Sequence, residues 1–167
     1  NQTMRFYEVR MVYGVDDEFL RGVLSTYAGL GYRYLYNDAR GSVRAGTTTY
    51  VGYEREQQYT YLPVGVTYRT MLGAKRLTLN GELGLLLMGS NHSHNDTFSD
   101  TFKQRSGFEA RLAATLNQGA WEVGPYVQYW KVNDSDKNYE YVGRTLTASW
   151  EPKNTTVDVG IKVDRHF

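Results

Sequence analysis

The sequence predicts an all-β, antiparallel barrel that spans a membrane, and three observations predict it. The first is a period-two alternation of apolar and polar residues in one segment after another, which gives each strand one apolar and one polar face. The second is composition: 15 Tyr and 17 Gly against 3 Pro suit strands, interfacial aromatic girdles and crowded barrel interiors. The third is an alternation of short and long connections. Mean hydropathy is only −0.56, and no run approaches the roughly 18 apolar residues of a spanning helix. That excludes a helical membrane protein but not a barrel, whose lipid face uses only alternate residues.

The 167 residues are read as one barrel domain over residues 1–167. The absence of Cys excludes disulfides, a thiol nucleophile and thiolate metal sites, and a net charge of +1 supplies no field for nucleic acid. No signal peptide opens the chain, so Asn1 begins a processed chain or a fragment.

The first strand is predicted over Met4–Gly14, with Tyr7, Val9, Met11 and Tyr13 opposite Glu8, Arg10 and Val12; the acidic stretch Val15–Glu18 reads as its turn. The second runs from Val23 to Tyr36. It sets Leu24, Ala28, Leu30, Tyr32, Tyr34 and Tyr36 against Ser25, Tyr27, Gly29, Gly31 and Arg33. Asn37–Gln58 is polar and reads as a long loop, with a strand extension at Thr47–Tyr53. The third strand, Tyr59–Leu72, alternates Leu62, Val64, Val66 and Tyr68 with Tyr61, Pro63, Gly65, Thr67 and Arg69. Pro63 donates nothing to a ladder and marks a weak point or a bulge.

Gly73–Lys75 turns the chain into the fourth strand, Arg76–Ser90, with Leu77, Leu79, Leu83, Leu85 and Leu87 opposite Thr78, Asn80, Glu82, Gly84 and Met88. Asn91–Gln104 is a second long loop. The fifth strand, Gly107–Leu116, and the sixth, Trp121–Val132, are joined by the tight turn Asn117–Gly119. Asn133–Lys153 is the third long loop, in which Tyr139–Trp150 could extend strands. The last strand, Thr155–Phe167, alternates Val157, Val159, Ile161 and Val163 with Asp158, Gly160, Lys162 and Asp164.

Long loops at 37–58, 91–104 and 133–153 thus alternate with short turns, as in outer-membrane barrels with short periplasmic turns and longer external loops. A soluble sandwich or barrel is the competing reading, and it has no reason to segregate loop lengths this way. Seven clear strands conflict with the even number usual in bacterial barrels. Either a strand is hidden in Arg44–Tyr53 or Tyr139–Trp150, giving about eight, or the chain is the C-terminal part of a barrel of about ten strands; the second is the expectation.

The segments AGLGYRYLYND (28–38), YEREQQYTYLPVGVTYR (53–69), GPYVQYWKVNDSD (124–136) and EPKNTTVDVGIKVDRHF (151–167) resemble a family of bacterial outer-membrane β-barrel proteins, over most of residues 20–167. The resemblance implies an outer-membrane location, extra hairpins upstream, and contact with lipid and lipopolysaccharide. It also implies handling by the barrel-assembly machinery, for which the final strand with Val163 and the terminal Phe167 resembles the assembly signal. It carries no active site and no cofactor.

The predicted interior face holds Glu8, Glu82, Glu109, Glu122, Asp158 and Asp164 against Arg10, Arg33, Arg69, Arg111 and Lys162. Such balance fits a salt-bridge network filling a narrow lumen, since buried charges must be paired. It also fits a solute path whose selectivity the charges set. His92 and His94, with Asp96 and Asp100 nearby, form the one histidine cluster; it reads as solvated loop, with metal binding and a lipid-modifying enzyme as weaker alternatives. Asn91, Asn95, Asn133 and Asn154 open Asn-x-Ser/Thr matches that read as polar loop composition, and His166 reads as a rim residue. The expected role is structural or porin-like and not enzymatic. The alternative is a surface adhesin or a barrel that docks other envelope proteins through its loops.

Overall fold

The computed structural model describes residues 3–45, 48–96 and 99–165. Among them are twelve strands and no helix: β1 (Thr3–Phe19), β2 (Gly22–Asp38), β3 (Ser42–Ala45), β4 (Thr48–Val51), β5 (Glu54–Leu72), β6 (Lys75–His94), β7 (Ser99–Gln104), β8 (Gly107–Gln118), β9 (Trp121–Val132), β10 (Asn138–Val142), β11 (Thr145–Ser149) and β12 (Asn154–Arg165). Every pairing is antiparallel. The main sheet runs β1-β2-β5-β6-β8-β9-β12, and β7 also pairs with β6. Strands β7 and β8 share that neighbour, β7 along Gly89–His94 and β8 along Leu77–Leu85, so they act as one interrupted wall strand.

Two-residue turns build the three hairpins at one end of the sheet. Gly73 and Gly119 open two of them with φ of +62° and +68°, the left-handed region that an unbranched backbone enters without cost. The β1–β2 turn is Leu20–Arg21, with Leu20 itself at φ 53°, a position that costs a side-chain-bearing residue roughly 1–2 kcal/mol. Val15–Glu18 is therefore strand, not turn. Asp16, Asp17 and Glu18 pair with Ser25, Leu24 and Val23, and Asp16 accepts a hydrogen bond from Ser25 with Arg69 4.0 Å away.

At the opposite end the three long connections are largely β-structure. Residues 37–58 contain the end of β2, the β3–β4 hairpin and the start of β5; Thr47 lies outside the described residues. In 91–104, β6 continues to His94 and β7 folds back on it. In 133–153, β10 and β11 form a hairpin turned by Gly143. The two stretches proposed to hide a wall strand are thus separate two-stranded ribbons that add nothing to the main sheet. The final strand is described to Arg165, so Phe167 and His166 lie outside the described residues.

The central strands carry one irregularity. Thr60 pairs with Met88 but Tyr61 pairs with Leu86, so Leu87 is an extra residue in β6. Alternation shifts there: Leu86 turns inward, while Leu87 and Met88 both face out. The expected inward placement of Met88 is corrected by this bulge. Nearby, the β2–β5 register skips from Ala28–Val64 to Gly31–Tyr61, which leaves Pro63 where no ladder donor is asked of it.

The outward face is apolar and exposed, with Val159 at 75% and Leu112 at 62%, whereas Glu82 and Glu109 on the inward face are 4% and 0% exposed. Outward aromatics gather in two belts. Near the long connections Tyr7 stacks on Tyr34 at 4.9 Å and Phe108 meets Tyr129 at 5.6 Å. Near the short turns Phe19 meets Tyr68 edge-on at 6.1 Å and the Arg165 guanidinium lies over Trp121. On the inward face tyrosines lie over cross-strand glycines: Tyr61 against Gly31, Tyr27 against Gly65, Tyr59 against Gly89 and Tyr126 against Gly160. A Cβ on Gly31 would meet the Tyr61 ring at 2.3 Å, so the small residue is what lets the ring lie flat.

The sheet is curled but not closed. Side chains of β1 reach β6 and β8 across the concave side, yet among the described residues β1 and β12 are each paired on one edge only.

Candidate functional site

The concave face is the site, and alternation builds it: residues of one parity on seven wall strands converge on it. In the middle, Glu8 of β1 accepts from Arg111 Nη2 of β8 at 2.6 Å and from the Tyr61 hydroxyl of β5 at 2.9 Å. Arg111 also reaches Glu109 at 2.8 Å, and Glu109 accepts from Gln128 Nε2 of β9 at the same distance. One turn of the pattern lower, Arg10 Nη1 donates to both oxygens of Glu82, at 2.5 and 2.7 Å, and the Tyr27 hydroxyl donates to Glu82 at 2.8 Å. Asn80 donates to Tyr27 and Thr67. Charges taken out of bulk water in this way hold only while each keeps its partners.

The eleven lumen charges read from the sequence fall into separate groups. Glu8, Arg10, Arg33, Glu82, Glu109, Arg111 and Asp158 form the central network, with Arg33 3.8 Å from Glu8 and 3.6 Å from Asp158. Toward the short turns Glu122 is held by Arg76 at 2.7 Å and by Thr78 and Thr115. Arg69 donates to Ser25 at 2.6 Å, and Lys162 pairs with Asp164 at 3.0 Å. Val163 faces outward and is exposed.

Sequence reasoning missed the uncharged half of the network. Tyr27, Tyr61, Asn80 and Gln128 are neutral and so stand out less than Glu or Arg. Their signal was parity: each shares a face with the charges it serves.

A second polar cluster sits at the long-connection end. Glu54 is met by Arg40 at 2.7 Å, by the Tyr36 hydroxyl at 2.9 Å and by His94 Nε2 at 2.5 Å. Hydrogen bonds from the Arg40 side chain and amide bring the Asp38 carboxyl down to about 2. Burial pushes the Glu151 carboxyl up, opposed by Arg55 at 3.4 Å and by Asn91. His92 and His94 have ring centroids 5.2 Å apart, but His92 Nδ1 faces the Thr101 hydroxyl at 2.9 Å while His94 faces Glu54. Among the described residues no group of three or more His, Cys, Asp or Glu is placed to hold a metal.

Cavities open along the concave face. One, of about 210 Å³, lies between Glu8, Arg10, Asn80, Arg111, Gln128 and Lys162. A larger one, of about 570 Å³, lies toward the long connections and is walled by Arg33, Asn37, Arg55, Gln57, Thr156 and Asp158, among others. No protein-family model matches the chain, and neither does any curated protein.

Proposed function

We propose that the chain forms the wall of a porin-like barrel in a bacterial outer membrane, with the concave face as an aqueous, charge-lined lumen and the three long connections outside the cell. One observation carries this reading: polarity is inverted, with ionised side chains buried inside and aliphatic side chains exposed outside. A water-soluble sheet of this size would hide the second and expose the first. The outward residues from Phe108 to Leu116 on β8 are uncharged. At about 3.4 Å per residue and a tilt near 40° they would stand ~23 Å tall, close to the lipid-facing band of such barrels. The two aromatic belts bracket that height.

The lumen charges would act on permeating solutes as fixed, preorganised ions. Arg111 and Glu82 lie centrally and on different elements, so each should bias ions of opposite sign. The test is single-channel recording in planar bilayers. Reversal potentials should move toward cation preference in Arg111→Gln and toward anion preference in Glu82→Gln. A protein that inserts and does not conduct would sink the pore.

A docking barrel is the second reading, and one feature favours it. The β10–β11 hairpin exposes Tyr139, Tyr141 and Leu146, with Trp150 beside it under Lys137. Trimming residues 138–149 should then abolish partner binding and leave conductance intact.

A further inference from the structure

The β10–β11 hairpin is a two-stranded ribbon with two unlike faces. The cross-strand pairs Tyr139–Ala148 and Tyr141–Leu146 share one face, and Asn138, Glu140, Thr147 and Ser149 take the other. One step toward the base, the Lys137 ammonium lies 5.4 Å over the Trp150 ring and prolongs the apolar face. That face stands in the open: Tyr139, Tyr141, Leu146 and Trp150 are 64%, 70%, 53% and 47% exposed.

A two-stranded ribbon alone is marginal in water, and this one is held from its base. The amides of Asn133 and Asp136 donate to the Ser106 and Lys103 carbonyls, both at 2.9 Å, and Asn138 Nδ2 donates to the Thr101 carbonyl at 3.3 Å. Across the stalk the Ser135 amide donates to the Glu151 carbonyl at 3.0 Å, and the Glu151 amide to Ser135 Oγ at 2.8 Å. A ribbon fixed in this way presents its rings without an ordering cost at the moment of binding. Successive contacts with Ser106, Lys103 and Thr101 also set its direction, which is away from the aromatic belt at Phe108 and Tyr129. Thr101 stands seven residues beyond Phe108, ~18 Å at about 3.4 Å per residue and a tilt near 40°. A lipid headgroup layer is only about 5–8 Å deep, so the strip begins beyond the lipid of the membrane that the belt marks.

Charge narrows the occupant further. Asp134 accepts from the Lys153 amide, Asp136 is paired with Arg105, Glu151 is buried beside Arg55, and Glu140 lies on the reverse face. The open face is flanked by cations, Lys137 at the base and the exposed Arg144 at the turn, and among the described residues no acid shares it. Two copies packed strip to strip would bring cation against cation in either alignment, so a different, anionic molecule fits. Tyr and Trp offer flat faces with a polar rim. A pyranose ring is built to match, with apolar C–H faces bordered by hydroxyls, whereas an extended acidic peptide finds its main-chain partners at a strand edge.

We propose that the ribbon binds an acidic polysaccharide, with sugar rings stacked on Tyr139, Tyr141 and Trp150 and carboxylates at Lys137 and Arg144. This names the partner in the docking reading of the hairpin and rests on that reading; conduction has no part in it.

Flotation of phosphatidylcholine vesicles holding the full chain, with fluorescently labelled polymers, tests it. Polygalacturonate should be retained saturably, with neutral dextran and poly(glutamate) each at least about tenfold weaker. Tyr141→Ser, which removes a ring and no charge, should weaken retention about fivefold, and Arg144→Glu about tenfold. Thr147→Ala on the reverse face should change nothing. All three positions are exposed, and far-UV circular dichroism checks the fold of each variant. Dextran held as tightly as polygalacturonate, no retention at all, or retention unmoved in both folded strip variants overturns the proposal. Poly(glutamate) held as tightly, and lost in Tyr141→Ser, overturns the glycan and leaves the docking reading standing. Retention that survives removal of residues 138–149 sinks that reading as well. Protein that does not float with the vesicles sinks the barrel, after which the same polymers titrated in solution still decide the glycan.

Discussion

Glu8 and Arg111 are 103 residues apart in sequence and 2.6 Å apart in space. Glu8 belongs to β1 and Arg111 to β8, with three wall strands between them in the sheet, so the bond spans the hollow and not the wall. Arg111→Ala should leave Glu8 and Glu109 together without their shared cation and cost about 3–5 kcal/mol. Urea unfolding in vesicles measures it. Adding Glu8→Gln should recover part of the loss, and a double variant worse than Arg111→Ala alone would show that the pair is not coupled.

The outward face makes an opposite demand. Val159 is among the most exposed aliphatic residues of β12, and at a water-facing site Arg would be tolerated within about ±0.5 kcal/mol. On the lipid-facing reading, Val159→Arg should cost about 2–4 kcal/mol. The same unfolding experiment distinguishes the two.

The bulge at Leu87 can be read chemically because the chain has no Cys. A cysteine placed at Met88 should react with a lipid-soluble maleimide and resist a charged one. Deleting Leu87 from that variant should restore simple alternation and reverse the preference.

Gly31→Ala should fold poorly, because its Cβ would strike the Tyr61 ring, which also supports Glu8. Overpacking of this kind costs about 1–3 kcal/mol. Tyr61→Leu in the same chain should relieve the clash and restore the unfolding midpoint in part; a midpoint lower still would refute the contact.

Asp38 titrates at about 2 because Arg40 stabilises its ionised form. A lowered folded-state value means that the contribution to stability is present above the ordinary carboxyl range near 4 and is lost as pH falls toward 2. In Arg40→Gln, carbon-detected NMR should find the Asp38 carboxyl back near the ordinary value.

Strands β9 and β12 were legible almost residue for residue, because their alternation is unbroken and their ends are marked by Gly, Asn and Pro. The β1–β2 turn was not. Val15–Glu18 carries the acidic signal of a turn, while Leu20–Arg21 carries none, and only the pairing of Asp16 with Ser25 decides between them. The inward parity of Arg33 was plain from Val23–Tyr36, but its packing between Phe6 and Trp130 was not, since those residues come from strands whose approach depends on curl. Parity put Tyr27 and Tyr61 on the inward face, but that they lie over Gly65 and Gly31, as Tyr59 and Tyr126 lie over Gly89 and Gly160, was not legible, because that pairing requires the register of two strands to be known.

The two unpaired edges carry a direction as well as a vacancy of hydrogen bonds. Strand β1 descends from the long-connection end to the turn at Leu20, and β12 descends the same way from the 133–153 connection to Arg165. Brought together, they would run in parallel, alone in an otherwise antiparallel wall. A hairpin inserted between them leaves the mismatch in place, because it ends pointing as it began. Only an odd number of further strands, the outermost two both ascending, lets every neighbour run opposite to the next. Whatever molecule supplies them, that arithmetic sorts the occupants that can seal the wall from those that cannot.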